Sequence, residues 1–142
     1  MDKNIKPLKN IKVLDLTHML SGPYGSMILA DLGCEVIKIE PPKKGEGTRR
    51  LLENDPDYSH NGMGAYFYTL NRNKKSVAID LKNKLGIEIF YELIKKADVV
   101  ISNFSAGVTK KLKIDFDTLK KFNSKIITCT VSGFGETGPN FQ

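Results

Sequence analysis

The chain has 142 residues, 22 Lys and Arg against 16 Asp and Glu, and a net charge of +6. With 40% apolar residues it holds enough hydrophobic material for one packed domain, which excludes an intrinsically disordered chain and a fibrous repeat. A chain of this length buries roughly 68–70% of its unfolded surface, enough to fold without disulfides or metal.

The longest apolar runs, Met27–Ala30 and Val99–Ile101, fall far short of the roughly 20 residues of a bilayer-crossing helix. The opening MDKNIKPLKNIK lacks the apolar stretch of a secretory signal, so a cytoplasmic location and no membrane partner are expected. Lysines are strewn along the chain, densest from Lys113 to Lys125, without the basic and aromatic stripe of a nucleic-acid site. No nucleic-acid partner is expected; the mild positive charge suits an anionic small ligand. Cys34 and Cys129 each sit in an apolar segment with no CxxC or His/Cys cluster nearby, and read as reduced core thiols with no metal site.

In chain order, Ile11–Leu16, Glu35–Glu40, Ser76–Asp80, Asp98–Ser102 and Lys125–Val131 are short, β-branched and bounded by turn residues, the pattern of five strands. Helix-period segments lie between them: Ser21–Leu32, Asn83–Lys96 and a weaker pair across Gly107–Phe122. The first helix has Ser21 as its expected N-cap, Pro23 in its first turn and Gly33 just past its end. In the second, Leu85, Ile89, Leu93 and Ala97, with Phe90 and Ile94 beside them, predict one stripe packed on a sheet. Such alternation predicts an α/β fold: a Rossmann-like, mostly parallel sheet of about five strands with flanking helices. Pro41–Gly64, 24 residues with three Pro and four Gly, interrupts the rhythm. A loop this long after the second strand is expected at the carboxyl edge of the sheet, where ligands of open α/β folds bind.

Gly133, Gly135 and Gly138 spell GxGxxG, yet Pro139 follows at once and no helix or downstream acid completes a dinucleotide fingerprint; the segment reads as a glycine-rich turn. The turn Thr17–Gly25 joins the first strand to the first helix, where free N–H groups and the helix dipole suit a phosphate or thioester carbonyl, or simply begin a helix. His18 stands in that turn as a ligand contact or a hydrogen-bonded structural residue. His60 reads as solvated, and Asp15 and Asp80 as strand-end caps of backbone N–H groups. Asn71–Lys75 (NRNKK) suits either phosphate and adenine or plain solvent, as do Arg49 and Arg50. No Ser/His/Asp order, paired carboxylates or HExxH pattern supports a self-contained catalytic site.

Taken together, VLDLTHMLSGPYGSMILADLGCEVIKIEPP, LNRNKKSVAIDLKNKLG, ADVVISNFSAGV and TVSGFGETGP resemble, in order from residue 11 to 139, the opening third of the family III CoA-transferases. That family includes carnitine, bile-acid and formyl CoA-transferases and the α-methylacyl-CoA racemases. The resemblance implies that 1–142 is the N-terminal portion of a large, CoA-binding domain. It further implies an interlocked homodimer of full-length chains, and transfer of CoA between an acyl-CoA and a carboxylic acid through an aspartyl intermediate. The catalytic Asp of relatives, and the His and Asp of the racemases, match no residue here, so the resemblance implies no catalytic residue in this segment, and an inactive one in isolation. An α-methylacyl-CoA racemase segment and a non-catalytic CoA-binding or interaction module are the alternative readings.

By the same resemblance His18, Met19, Leu20 and Ser21 fall beside the pantetheine and thioester end of coenzyme A. Asn71, Arg72, Asn73, Lys74, Asn103 and Phe104 fall by the nucleotide end, with Lys111 where many relatives carry Arg. Ser102 stands where Glu is usual, Ser105-Ala106 where Arg-Pro is usual, and Glu136 where Gln is usual. Leu20 replaces the Gln of formyl- and oxalyl-transferring relatives, which implies a larger or more apolar acyl group.

Overall fold

A computed structural model describes residues 6–135 and 137–140. Glu136, noted above, lies outside the described residues. Five parallel strands form one sheet: β1 (Lys12–Asp15), β2 (Glu35–Glu40), β5 (Lys75–Ala78), β6 (Val99–Ser102) and β7 (Ile127–Thr130), in the order β5-β2-β1-β6-β7. Register is continuous across it, with Val13 opposite Val36 and Val99, and Val99 opposite Ile127. All five expected strands are present, each within a few residues of its predicted limits.

Period-two alternation sends successive strand residues to opposite faces. Leu14, Ile39 and Val100 join Phe90, Ile94, Ala97, Ile114 and Leu119 in one apolar layer. Val13, Val36 and Ile101 join Ala30 and Cys34 in the other. Helices α3 (Lys84–Ile94) and α5 (Phe116–Leu119) therefore cover one face and α1 (Ser21–Asp31) the other. The weaker pair resolves into α4 (Val108–Lys111) and α5, four residues each.

Several expectations need correction. The N-cap of α1 is Leu20, with no side-chain cap, because the Ser21 backbone is already helical; Gly33, at φ +105°, follows its end as expected. On α3 the inward face is Gly86, Phe90 and Ile94, continued past its end by buried Ala97, while Leu85 and Ile89 are 69% and 54% exposed. The reason is steric: a Cβ at position 86 would lie 2.0 Å from the Asp80 carbonyl oxygen, so the glycine lets this side of the helix sink onto the chain after β5 and turns the neighbouring stripe outward. Cys34 is buried, but Cys129 is exposed on β7, the last strand of the sheet, which among the described residues is left open on that face. Pro41–Gly64 is not one plain loop: it contains a 3₁₀ turn at Gly47–Arg49 and a small hairpin of β3 (Ser59–His60) and β4 (Met63–Gly64). The unpredicted α2 (Ala65–Asn71) follows, burying Phe67, Leu70 and Asn71. Among the described residues no helix is long and apolar enough to cross a membrane.

Candidate functional site

Chain order runs outward through β2 and β5 on one side of β1 and through β6 and β7 on the other. The loops leaving β1 and β6 thus diverge at a topological switch point, the place where open α/β sheets bind ligands. The loop after β1 is anchored at its root. Asp15, fully buried, accepts from the Thr17 N–H at 2.9 Å, the Ser26 hydroxyl at 2.6 Å and Lys74 Nζ at 3.0 Å. Lys38, equally buried on β2, donates to the Thr17 carbonyl at 2.8 Å and lies 3.7 Å from the Asp15 carboxylate. Burial alone would raise the Asp15 pKa, but Lys38, Lys74 and the Ser26 and Thr17 donors outweigh it and hold the carboxyl below its ordinary value.

Lys74 is no exposed cation. Its three donors reach Asp15, the Pro23 carbonyl at 2.8 Å and the Asn71 side-chain oxygen at 2.8 Å. Burial holds its pKa below the ordinary value even though Asp15 opposes the shift. Asp15 therefore supports the fold, as expected, and Asp80 likewise caps the Lys82 N–H at 2.9 Å.

The tip of the loop is held from two further directions. The Asn103 side chain, just past β6, accepts from the His18 N–H and donates to the His18 carbonyl, both at 2.8 Å, pairing with the loop as a strand would. Met19 has φ +68°, a left-handed conformation costly to a branched or long side chain, and its N–H donates to Glu46 Oε1 at 3.0 Å. Glu46 is fully buried. Its N–H donates to Glu40 Oε2 at 2.8 Å, and the Thr48 hydroxyl donates to its other carboxylate oxygen.

Beneath it, Glu40 accepts from Arg49 twice at 2.6 Å and from the Ser76 hydroxyl at 2.6 Å. Burial opposes its ionisation, yet these donors and the Glu46 N–H lower its pKa from 4.5 to about 2. Arg49 also stacks 3.8 Å over the Phe67 ring, so it is a structural cation, whereas Arg50 is exposed.

The His18 ring lies 5.6 Å from the Phe104 ring, and its Nδ1 is 3.9 Å from Glu46 Oε1. Burial, then Lys38, lower its pKa below the usual histidine value, against the pull of Glu46, Asp15 and Glu40. Beside this loop opens a cleft of about 830 Å³ lined by Ser21, Asn103, Phe104, Gly107, Ser132 and Phe134. The uncapped start of α1, with its partial positive charge, forms part of that wall. A second cleft, of about 810 Å³, is rimmed by Lys82, Lys84, Lys111 and Lys113 and floored by apolar residues including Phe104 and Leu112. Phe104 forms a wall of both clefts. Aromatic and apolar walls beside four ammonium groups suit a ligand that is part heterocycle or acyl chain and part phosphate.

Of the residues singled out from sequence, Ser21, Asn103, Phe104 and Lys111 line these clefts, while His18 lines neither and stands behind the first, against Asn103 and Phe104. Met19 and Leu20 are exposed on the same loop. Asn71 and Lys74 are buried beneath it. Arg72 and Asn73 hold Asp31, at the far end of α1, at 2.6 and 2.7 Å and line neither cleft. His60 is exposed, as expected. Sequence reasoning did not single out Glu46, Lys82 or Lys84. Lys82 and Lys84 flank the Asn83 cap of α3, a helix start that was legible. Glu46 lies among cations in a glycine-rich run and carries no periodic signal.

A parallel sheet with a ligand-sized cleft at its switch point defines an α/β domain of the open-sheet class. The family model described as CoA-transferase family III matches residues 8–142, and the chain belongs to that family. It is 43% identical to an acetyl-CoA:oxalate CoA-transferase of Acetobacter aceti over 94% of this chain and 33% of that protein. It is 39% identical to the succinyl-CoA:glutarate CoA-transferase of Homo sapiens over 98% of this chain and 31% of that protein. A crystal structure of a CAIB/BAIF family protein from Brucella suis superposes with a TM-score of 0.87 at 39% identity, over 95% of this chain and 35% of that one. The chain spans about a third of the length of the curated relatives it matches.

Proposed function

We propose that this chain is the coenzyme-A-binding portion of a CoA-transferase that moves CoA between an acyl-CoA and a carboxylic acid. The observation that carries this reading is the pair of clefts sharing Phe104 as a wall, one beside the His18 loop and the other ringed by four lysines. The nucleotide lies in the lysine-rimmed cleft, with Lys111 and its neighbours taking phosphate oxygens, and the pantetheine arm passes Phe104 and Asn103 toward His18, Met19, Leu20 and Ser21. Assignment of Arg72 and Asn73 to the nucleotide end rests on the family resemblance alone. Asp15 and Asp80 serve the fold, so the contribution of these residues to the chemistry is binding and orientation. Both curated relatives named above are transferases, which favours transfer over the racemase alternative, and the oxalate and glutarate in their names support a dicarboxylate as acceptor, with Leu20 favouring one larger than oxalate. The full-length assembly in this reading is a homodimer.

Calorimetry with CoA and dephospho-CoA tests the site. CoA is expected to bind more tightly and to weaken as salt rises. Lys111→Glu, or Lys82→Glu with Lys84→Glu, is expected to cost roughly tenfold or more in affinity, since a charge-assisted hydrogen bond contributes about 1.5–3 kcal/mol. Binding of CoA at wild-type strength by both variants would remove the nucleotide from this cleft.

A further inference from the structure

Glu46 is an unusual residue to bury. A carboxylate with no exposed surface is costly unless donors and cations compensate it. Its donors are the Met19 N–H and the Thr48 hydroxyl, and among the described residues the one basic side chain within 4.0 Å is the His18 imidazole. One oxygen, Oε1, serves both loop residues: it is 3.0 Å from the Met19 nitrogen and 3.9 Å from His18 Nδ1. The strained φ of Met19 persists because this bond and the Asn103 clamp over-determine the loop. Neither ring nitrogen of His18 makes a hydrogen bond among the described residues, so the carboxylate field is what distinguishes them.

Resting on the CoA-binding reading above, we propose that Glu46 is a positioning residue for the ligand-binding loop: its carboxylate fixes the Met19 backbone and draws the Nδ1–H tautomer of His18 toward itself, leaving Nε2 as a hydrogen-bond acceptor for the ligand. The residue acts through His18 and Met19 and does not itself contact ligand. The charged groups acting on His18 are Lys38 of β2, which disfavours the imidazolium, and Glu46, Asp15 and Glu40, which favour it. Asp15 holds the root of the loop at Thr17, and Glu46 differs from both other acids in bonding its tip at Met19. Asp15 is engaged by Lys38 and Lys74, and Glu40 by Arg49.

The chain contains two histidines, His18 and His60, so long-range proton–nitrogen NMR of the imidazoles reports His18 with one other signal set to separate. In the unsubstituted chain His18 is expected mainly as the Nδ1–H tautomer at neutral pH; an Nε2–H tautomer overturns the proposal with no variant needed. Glu46→Gln keeps an acceptor for the Met19 N–H and removes the charge. It is expected to lower the His18 pKa, shift the tautomer balance toward Nε2–H and weaken acetyl-CoA binding about threefold to tenfold. Glu46→Asp, which retains the charge, is expected to keep the pKa nearer the wild-type value. Unchanged His18 titration and tautomer in a folded Glu46→Gln chain overturns the proposal. If the imidazole responds as expected but the wild-type chain binds no acetyl-CoA, the positioning stands and the CoA-binding reading falls.

Discussion

At the scale of single residues, Glu40 ties stability to pH in a direction that follows from its partners. Arg49, Ser76 and the Glu46 N–H favour its ionised form, so its pKa is depressed from 4.5 to about 2. A group depressed in the folded state contributes stability that is fully present above its unfolded pKa and is lost as pH falls through the folded value. The loss therefore falls between about pH 4.5 and 2, and amounts to on the order of 3 kcal/mol. Urea unfolding at pH 7 and pH 3 checks it: the midpoint drop expected for the wild-type chain should be visibly smaller in Glu40→Gln, and an equal drop in both would assign the acid sensitivity to other carboxylates such as Asp15.

Lys74 and Arg72, two residues apart, make a second contrast. Lys74 is 2% exposed and shares Asp15 with Lys38, whereas Arg72 is 55% exposed in its pair with Asp31. Removing one partner of a buried pair strands the other charge, so Lys74→Ala should cost roughly 3–5 kcal/mol in urea unfolding. Arg72→Ala should cost about 1 kcal/mol or less. Comparable losses for the two would contradict the burial that separates them.

At the scale of elements, α1 illustrates how local pattern and tertiary contact divide the work. Its limits were legible from Pro23 and Gly33, but the need for glycine at position 22 was not, because that need comes from Thr17 in the preceding loop. A Cβ on residue 22 would approach the Thr17 Cβ to 2.4 Å. Helix propensity alone would make Gly22→Ala stabilising by up to about 1 kcal/mol. The clash should reverse the sign, at a cost of about 1–3 kcal/mol, and move the His18 amide resonance as the loop shifts. A higher melting temperature with an unmoved His18 signal would show that the loop yields freely.

The same division explains which parts of the site could be read in advance. Strands and the two longer helices were legible because their apolar periods are local. His18 and Asn103 could be named by family resemblance, yet their mutual clamp spans 85 positions and exists because β1 and β6 pair in parallel. The α3 stripe was placed one residue off because period counting does not see the Asp80 carbonyl that selects Gly86. Glu46 was invisible for a related reason: only the fold of the long β2–α2 connection brings it under Met19.

At the scale of the whole molecule, the two edges of the sheet differ. On the β5 edge stands exposed Lys75, ion-paired to Glu35 at 2.6 Å, a charge of the kind that discourages strand addition. The β7 edge is Ile127-Thr128-Cys129-Thr130, without a charge, exposed over its first three residues, and with Ile127 61% exposed. Ile127 and Cys129 extend the row begun by Val99 and Ile101 on β6, so the apolar layer buried at Ile101 emerges into solvent at β7. An uncharged terminal strand with an apolar row is a template for pairing with another copy or another segment. The 142-residue chain is therefore expected to self-associate as concentration rises. Ile127→Lys should suppress this while leaving unfolding stability within about 0.5 kcal/mol, as for other exposed positions. Sedimentation velocity over a concentration series checks it: a wild-type chain that stays monomeric throughout, or an Ile127→Lys variant that associates as strongly as wild type, would move the association surface away from β7.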